Sequence, residues 1–316
     1  MTFEIVAGTY EQFLLGYNFQ SKCGELKQSF AVRSHTGSIK CVHTLNRFVA
    51  SGGTDDRIFI YDLISRKEHC MLTQHVSSVT CVKFTPDRSH IISGSADGTL
   101  AIVRVGNWQL EKLWEKAHKG AIVNIAIHSS GKLALTLGSD HTLQTWNLIK
   151  GRQAYVINLS NKSKDPSSLE HIMWSPCGSK FLLGGGYYTE IWSIEKGGIL
   201  KSIKHSFKVS CCIWYKKNTL LVGYENGQLG ITNIETSKIN VIECHSSRLK
   251  SIATNSSCII TGSSDGVIKV WDKEFQEIAK CNTGCRITCL DIAIPPTGKE
   301  DSHESEKVEM KRRKIK

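Results

Sequence analysis

Five histidines, His35, His75, His118, His205 and His245, recur along the chain at steps of 40, 43, 87 and 40 residues, the third step spanning two periods. Downstream of four of them, a Ser or Thr is followed four residues later by Asp, and six after that by an aromatic or apolar residue. The series reads Ser51/Asp55/Tyr61, Ser93/Asp97/Val103, Thr136/Asp140/Trp146 and Thr261/Asp265/Trp271. A period of this length, with an early His and a late aromatic, belongs to a four-stranded propeller blade. One such sheet cannot bury both faces alone, so its neighbours stack radially into a shared core. The 316 residues would otherwise suggest about two domains. The repeat predicts a single all-β ring instead.

Within each period, apolar and polar residues alternate with the spacing of strands. The third repeat reads most clearly, with strands at 122–127, 132–137, 142–148 and 152–157 and turn signals at Ser130-Gly131, Ser139-Asp140 and Lys150-Gly151. Continuing the period leaves one strand, 286–292, before Pro295-Pro296, and three strands, 4–8, 11–17 and 27–32, before His35. One and three make a blade. The expected architecture is a seven-bladed β-propeller over residues 1–294, its seventh blade shared between the N- and C-termini so that no sheet edge stays open. Repeats four and five are worn: no His falls near residue 161, the segment 161–166 reads as a lengthened loop, and Gly186 and Asn226 stand near the Asp position. Gly184-Gly185-Gly186 is expected at a turn. Residues 295–316 are charged and aperiodic, which predicts a short disordered tail.

No stretch approaches the run of about 18 apolar residues of a membrane helix, and no basic region precedes an apolar block at the start, so neither membrane nor secretion is expected. The 12 cysteines are then expected to be reduced. Cys41, Cys81 and Cys289 fall at equivalent places on inner strands, with Ile125 expected at that place in the third repeat, as for a small buried hydrophobe. The Cys281, Cys285, Cys289 run lacks the two-residue spacing of zinc sites. No metal, cofactor or small-molecule substrate is expected.

The net charge is +11, of which 297–316 supplies seven basic and five acidic residues, leaving +9 upstream. Such a surplus points to nucleic acid or an acidic protein surface. Its distribution is uneven. The a–b turns carry Arg47, Arg88, Lys132, Lys180, Lys216 and Lys217, and the c–d turns carry Arg66, Lys67, Lys150 and Arg152. Both sets lie on one rim of a propeller, which is expected to be positive and to contact RNA or a partner. Lys311, Arg312, Arg313, Lys314 and Lys316 form a basic run of the nuclear-import kind.

The repeats resemble those of WD-repeat proteins. That resemblance implies that the His of the d–a loop, the Ser or Thr of strand b, the Asp of the b–c turn and the Trp of strand c form a hydrogen-bonded structural tetrad. His118, Thr136, Asp140 and Trp146 make one complete set and His245, Thr261, Asp265 and Trp271 another. His35, Ser51 and Asp55, and His75, Ser93 and Asp97, are partial sets. A trio that recurs in four blades is architecture, not a catalytic site, and no enzyme activity is expected. At a finer level, Glu4-Ile5-Val6-Ala7-Gly8-Thr9-Tyr10-Glu11-Gln12, Ala117-His118-Lys119-Gly120 and Thr142-Leu143-Gln144-Thr145-Trp146-Asn147-Leu148 resemble the PAK-interacting family of WD-repeat proteins, named for p21-activated protein kinases. The resemblance implies a non-catalytic scaffold in nucleolar assembly of the large ribosomal subunit, with pre-ribosomal particle proteins and ribosomal RNA as partners. A second implied role is a signalling adaptor that restrains a p21-activated protein kinase.

Overall fold

Seven antiparallel sheets of four strands each are arranged as blades around a central channel. The computed structural model describes residues 2–20 and 24–294, and the expected tail with its basic run at 311–316 lies outside the described residues. Blade three shows the pattern, with strands a to d at Ile122–Ile127, Leu133–Gly138, Thr142–Asn147 and Arg152–Asn158. Strands b are the most deeply buried, because each is covered by both neighbouring blades, whereas strands d such as Arg152–Asn158 are largely exposed. The cores accordingly lie between blades: Ala126 and Leu135 of blade three pack with Leu169, Phe181 and Trp192 of blade four.

The seventh blade is built from both ends of the chain. Strand Ile287–Ala293 pairs antiparallel with Thr2–Thr9, which pairs with Leu14–Gln20 and then Glu25–Val32. The register joins Glu4 to Ala293, Val6 to Asp291 and Gly8 to Cys289. Its third strand starts at Leu14 rather than at the expected residue 11. The amide of Thr9 donates to Phe13 O at 3.0 Å, and Gln12 takes a positive φ of 75°, so residues 10–13 are spent on the turn.

Each inner strand carries a one-residue bulge near its start, between Ile39 and Cys41, Val79 and Cys81, Ile122 and Asn124, Leu169 and His171, Val209 and Cys211, Leu249 and Ser251, and opposite Gly8/Thr9 in blade seven. A bulge adds twist and re-aims a side chain. This register corrects one expectation: Asn124, not Ile125, occupies the place of Cys41 and Cys81, since Asn124 pairs with Leu137 as Cys41 pairs with Gly52. Burial pushes the Cys81 and Cys289 thiols up to about 11, which keeps them protonated and unreactive.

The inner strands are stapled to one another all the way round. His43 Nδ1 accepts from the Phe84 amide at 3.2 Å, Thr80 donates to Ile122 O at 2.5 Å, and Asn124 Nδ2 to Glu170 O at 3.1 Å. Met173 Sδ faces the Trp214 amide at 3.2 Å, Ser210 donates to Leu249 O at 2.5 Å, and Ser251 Oγ accepts from the Leu290 amide at 3.2 Å. Asp291 closes the circle by accepting from the Thr44 amide at 2.7 Å. Every junction between blades is thus bridged by a side-chain donor or acceptor that satisfies main-chain groups the sheets leave over.

Candidate functional site

Antiparallel strands place the d–a loops and b–c turns at one end of the ring and the a–b and c–d turns at the other. The first end holds the tetrads. In blade three, Trp146 Nε1 donates to Thr136 Oγ1 at 2.9 Å, Thr136 lies 2.7 Å from His118 Nε2, and His118 Nδ1 lies 3.1 Å from Asp140. Burial lowers the His118 pKa despite the pull of Asp140, so the ring is neutral and has one N–H. With the Thr136 hydroxyl donating to Nε2, that N–H points at Asp140. Burial alone would raise the Asp140 carboxyl. Bonds from Thr142, Lys119 and His118 outweigh it and hold the group below its ordinary value. Thr136 is fully buried, with its lone pair and its proton both committed, so it has no path to a substrate carbonyl.

The other sets differ. In blade one, His35 Nδ1 meets Asp55 at 2.9 Å and Nε2 meets Ser51 at 2.9 Å, while Tyr61 stacks on Phe30 instead of bonding to Ser51. In blade two, His75 Nε2 meets Ser93 at 2.8 Å, but Nδ1 turns to Thr99 Oγ1 at 2.5 Å. Asp97 serves the amides of Val76 at 2.9 Å and Thr99 at 2.7 Å instead. Blade six corrects the expectation of a second complete tetrad. Trp271 and His245 both reach Thr261, at 2.9 and 2.8 Å, yet Asp265 is taken by Ser263, by Ser246 at 3.2 Å and by the Val267 amide at 3.2 Å. Burial, then the field of Lys269, pushes His245 down to about 4.

In the worn blades, other residues fill the gap. His205 bridges two blades, with Nε2 at 2.8 Å from Thr189 of blade four and Nδ1 at 2.9 Å from the Tyr224 hydroxyl of blade five. Blade four centres on fully buried Glu190, which accepts from Trp192 Nε1 at 3.2 Å, Ser163 Oγ at 3.0 Å and the Lys164 amide at 2.7 Å. The lengthened loop at 161–166 is therefore the donor set for a carboxylate, in place of the missing histidine. A second buried carboxylate, Glu4, was equally hidden from pattern reading. Its signal in both cases is an acidic residue inside an otherwise apolar strand. Gly184 and Gly185 end strand Lys180–Gly185 and are not turn residues. Gly186 turns, at φ 54°, where a Cβ would meet Asp165 Oδ2 at 2.6 Å.

The opposite end carries the basic rim, and the structure divides it. Arg47 forms an ion pair with buried Asp62 at 2.6 Å, and Arg66 with Glu4 at 2.6 Å while lying over the Phe30 ring. These two arginines brace buried carboxylates while 40% of each side chain stays exposed. Lys67, Lys180 and Arg152 open strands at the same end. Arg88, Lys132, Lys150, Arg152, Lys216 and Lys217 are exposed and form no ion pair among the described residues.

Replacing Asp140 by Asn is expected to lower stability by about 1–3 kcal/mol, because His118 and the Lys119 amide lose a charged acceptor. Thr261→Ala is expected to cost a similar amount by stranding Trp271 and His245. Asp265→Asn is expected to cost less than either, since His245 does not depend on it. Urea unfolding of the three variants checks the ranking. Equal losses for Asp140→Asn and Asp265→Asn would contradict it.

Seven blades closed by a shared sheet, with this hydrogen-bonded set complete in blade three and partial in blades one, two and six, define a WD-repeat propeller, and the WD domain, G-beta repeat family matches residues 24–62, 66–103 and 236–272. The chain is 32% identical over 314 residues to the p21-activated protein kinase-interacting protein 1-like of Danio rerio, covering 95% of this chain and 83% of that one. It is 32% identical over 309 residues to p21-activated protein kinase-interacting protein 1 of Homo sapiens, covering 92% and 76%. Shk1 kinase-binding protein 15 of Schizosaccharomyces pombe is 26% identical over 303 residues, covering 93% and 85%. The chain belongs to the p21-activated protein kinase-interacting protein family.

Proposed function

We propose that this chain is a non-catalytic scaffold in assembly of the large ribosomal subunit, acting in the nucleus and nucleolus on pre-ribosomal proteins and ribosomal RNA. The observation that carries this reading is the set of exposed cations without ion pairs on one rim, Arg88, Lys132, Lys150, Arg152, Lys216 and Lys217. A rim of turn residues is displayed without cost to the core, and cations without carboxylate partners are the ones that release counterions from phosphate. The basic run at 311–316 would supply nuclear import. A second reading, a kinase-restraining adaptor, is favoured by the relatives' names, which describe kinase interaction.

Affinity purification of the full chain at low and high salt, with and without nuclease, separates the two. Large-subunit RNA and proteins are expected to co-purify and to be lost on nuclease treatment or at high salt. Retention of a p21-activated kinase through both treatments, with no ribosomal RNA at low salt, would replace the first reading by the second.

A further inference from the structure

The tetrad end of the ring has a charge pattern of its own. The bulges place Lys40, Thr80, Lys250 and Thr288 on the lining of the central channel, whose volume is about 630 Å³, with Val123, Glu170 and Ser210 at the equivalent bulge positions of the other three blades. The three hydroxyls are spent on main-chain carbonyls of Ile122, Leu249 and Gly8. That leaves Lys40 and Lys250, with Glu170 the one carboxylate of the ring. Arg248 and Arg286 stand just before strands a of blades six and seven. Burial, and then the fields of Arg248, Arg286 and Lys40, lower the Lys250 pKa, while only Glu170 acts against them. Lys250 is thus a cation set among cations.

The arc continues to blade five, where Lys208 at 3.5 Å and Arg248 at 3.1 Å share a single carboxylate, Glu225. Beside Arg286, Glu11 is engaged by its backbone amide at 2.9 Å. Blade four has no acid at the place that Asp55, Asp97, Asp140 and Asp265 hold on the b–c turns elsewhere, because Gly186-Tyr187 stands there, and blade five has Asn226 at that place with Glu225 one residue before it. The wear of the repeats therefore leaves the b–c turn of blade four without a carboxylate. On that side Tyr187 and Phe207 are 49% and 41% exposed. The turn and the loop that bear them are tied by His205 N to Tyr187 O at 2.8 Å and Val209 N to Gly186 O at 2.7 Å.

The geometry points to this mouth as a docking site for an acidic peptide segment of a protein partner. Its carboxylates lie along Lys208, Arg248, Lys250, Arg286 and Lys40, and an apolar side chain rests on Tyr187 and Phe207. Charge complementarity sets the sign of the ligand. The acids on the b–c turns, Asp55, Asp97, Asp140 and Asp265 with Glu225 in blade five, repel a long polyanion that would have to cross them and so favour a short peptide.

The probe is a fluorescein-labelled twelve-residue peptide of one phenylalanine followed by glutamates, titrated with the full chain and read by anisotropy. Saturable binding is expected. It should weaken about tenfold or more in the Lys250→Glu, Arg286→Glu double variant and survive reversal of Arg88, Lys132, Lys216 and Lys217 on the other rim. Phe207→Ala should weaken binding of this peptide and leave an all-glutamate peptide unchanged. Milder Lys40→Gln and Lys250→Gln variants, with melting curves beside wild type, guard against misfolding. Equal affinity in the double variant and wild type would overturn the proposal. So would an oligonucleotide of equal charge that displaces the peptide and binds more tightly at the same residues, which would make the mouth a nucleic-acid site.

Discussion

A chain lacking residues 1–33 is expected to fail to give a soluble, cooperatively melting protein. The missing strands bury Phe3, Ile5, Val6, Leu14, Leu15, Tyr17 and Phe19, each 5% exposed or less. At roughly 1.5–3 kcal/mol for each large side chain, their burial is worth on the order of 10–20 kcal/mol. That equals or exceeds the roughly 5–15 kcal/mol by which a domain is stable at all. The loss is not confined to one blade. Ile5 and Tyr17 pack with Ile260, Ile268 and Val270 of blade six, whereas Val6 and Leu14 pack with Ile39, Val42 and Val49 of blade one. Removing three strands therefore strips both neighbours and leaves Ile287–Ala293 as an open, apolar edge. Expression of the truncated chain with gel filtration and a thermal melt reads the outcome. A monomer melting near the full-length temperature would contradict the shared blade.

How much of this was legible in the sequence follows from what each blade uses to hold itself. Strand alternation and the His-to-Asp spacing located the blades because burial between neighbours imposes a period of two on every strand and one length on every repeat. The pairing of Ile287–Ala293 with Thr2–Thr9 was legible by counting alone. The bulges were not. A single extra residue shifts the alternation of a strand by one, and Ile125 passed for the equivalent of Cys41 although Asn124 stands six residues after His118, as Cys41 does after His35. The staple from Asn124 to Glu170 O depends on that one-residue difference.

The tetrads were legible as residue types and less so as bonds. Spacing alone could not tell that Thr99 would take His75 Nδ1 from Asp97, or that Asp265 would turn to Ser263 and Ser246. These are contests between acceptors a few ångströms apart, decided by turn geometry. In the worn blades the rule that buried polar groups find partners still holds, but through residues the motif does not name, Glu190 for Trp192 and Tyr224 for His205. On the basic rim, Arg47 and Arg66 pair with Asp62 and Glu4, acids set in otherwise apolar strands, and the spacing of the turns does not foretell those pairs.

The proposed role rests on the remaining cations of that rim. Reversing Arg88, Lys132, Lys216 and Lys217 to Glu changes the rim charge by eight while touching only exposed positions in turns or, for Lys216, at a strand end, where substitutions usually alter stability by about 0.5 kcal/mol or less. Each phosphate that the rim no longer neutralises should make the salt dependence of RNA binding shallower by about 0.7–0.9 in the log–log slope. Four such phosphates correspond to a slope change of roughly 3 and a fall in affinity of at least about 100-fold at low salt. Reversing Asp56 on the opposite end to Lys, with Asp55 kept in place for His35, should not weaken RNA binding. The deciding measurement is sedimentation of the tagged four-residue variant through a sucrose gradient beside large-subunit precursors, with its melting curve taken in parallel. The expected result is a natively folded protein that leaves the precursor fractions for the top of the gradient. A folded variant that still travels with the precursors would contradict the role assigned to the rim.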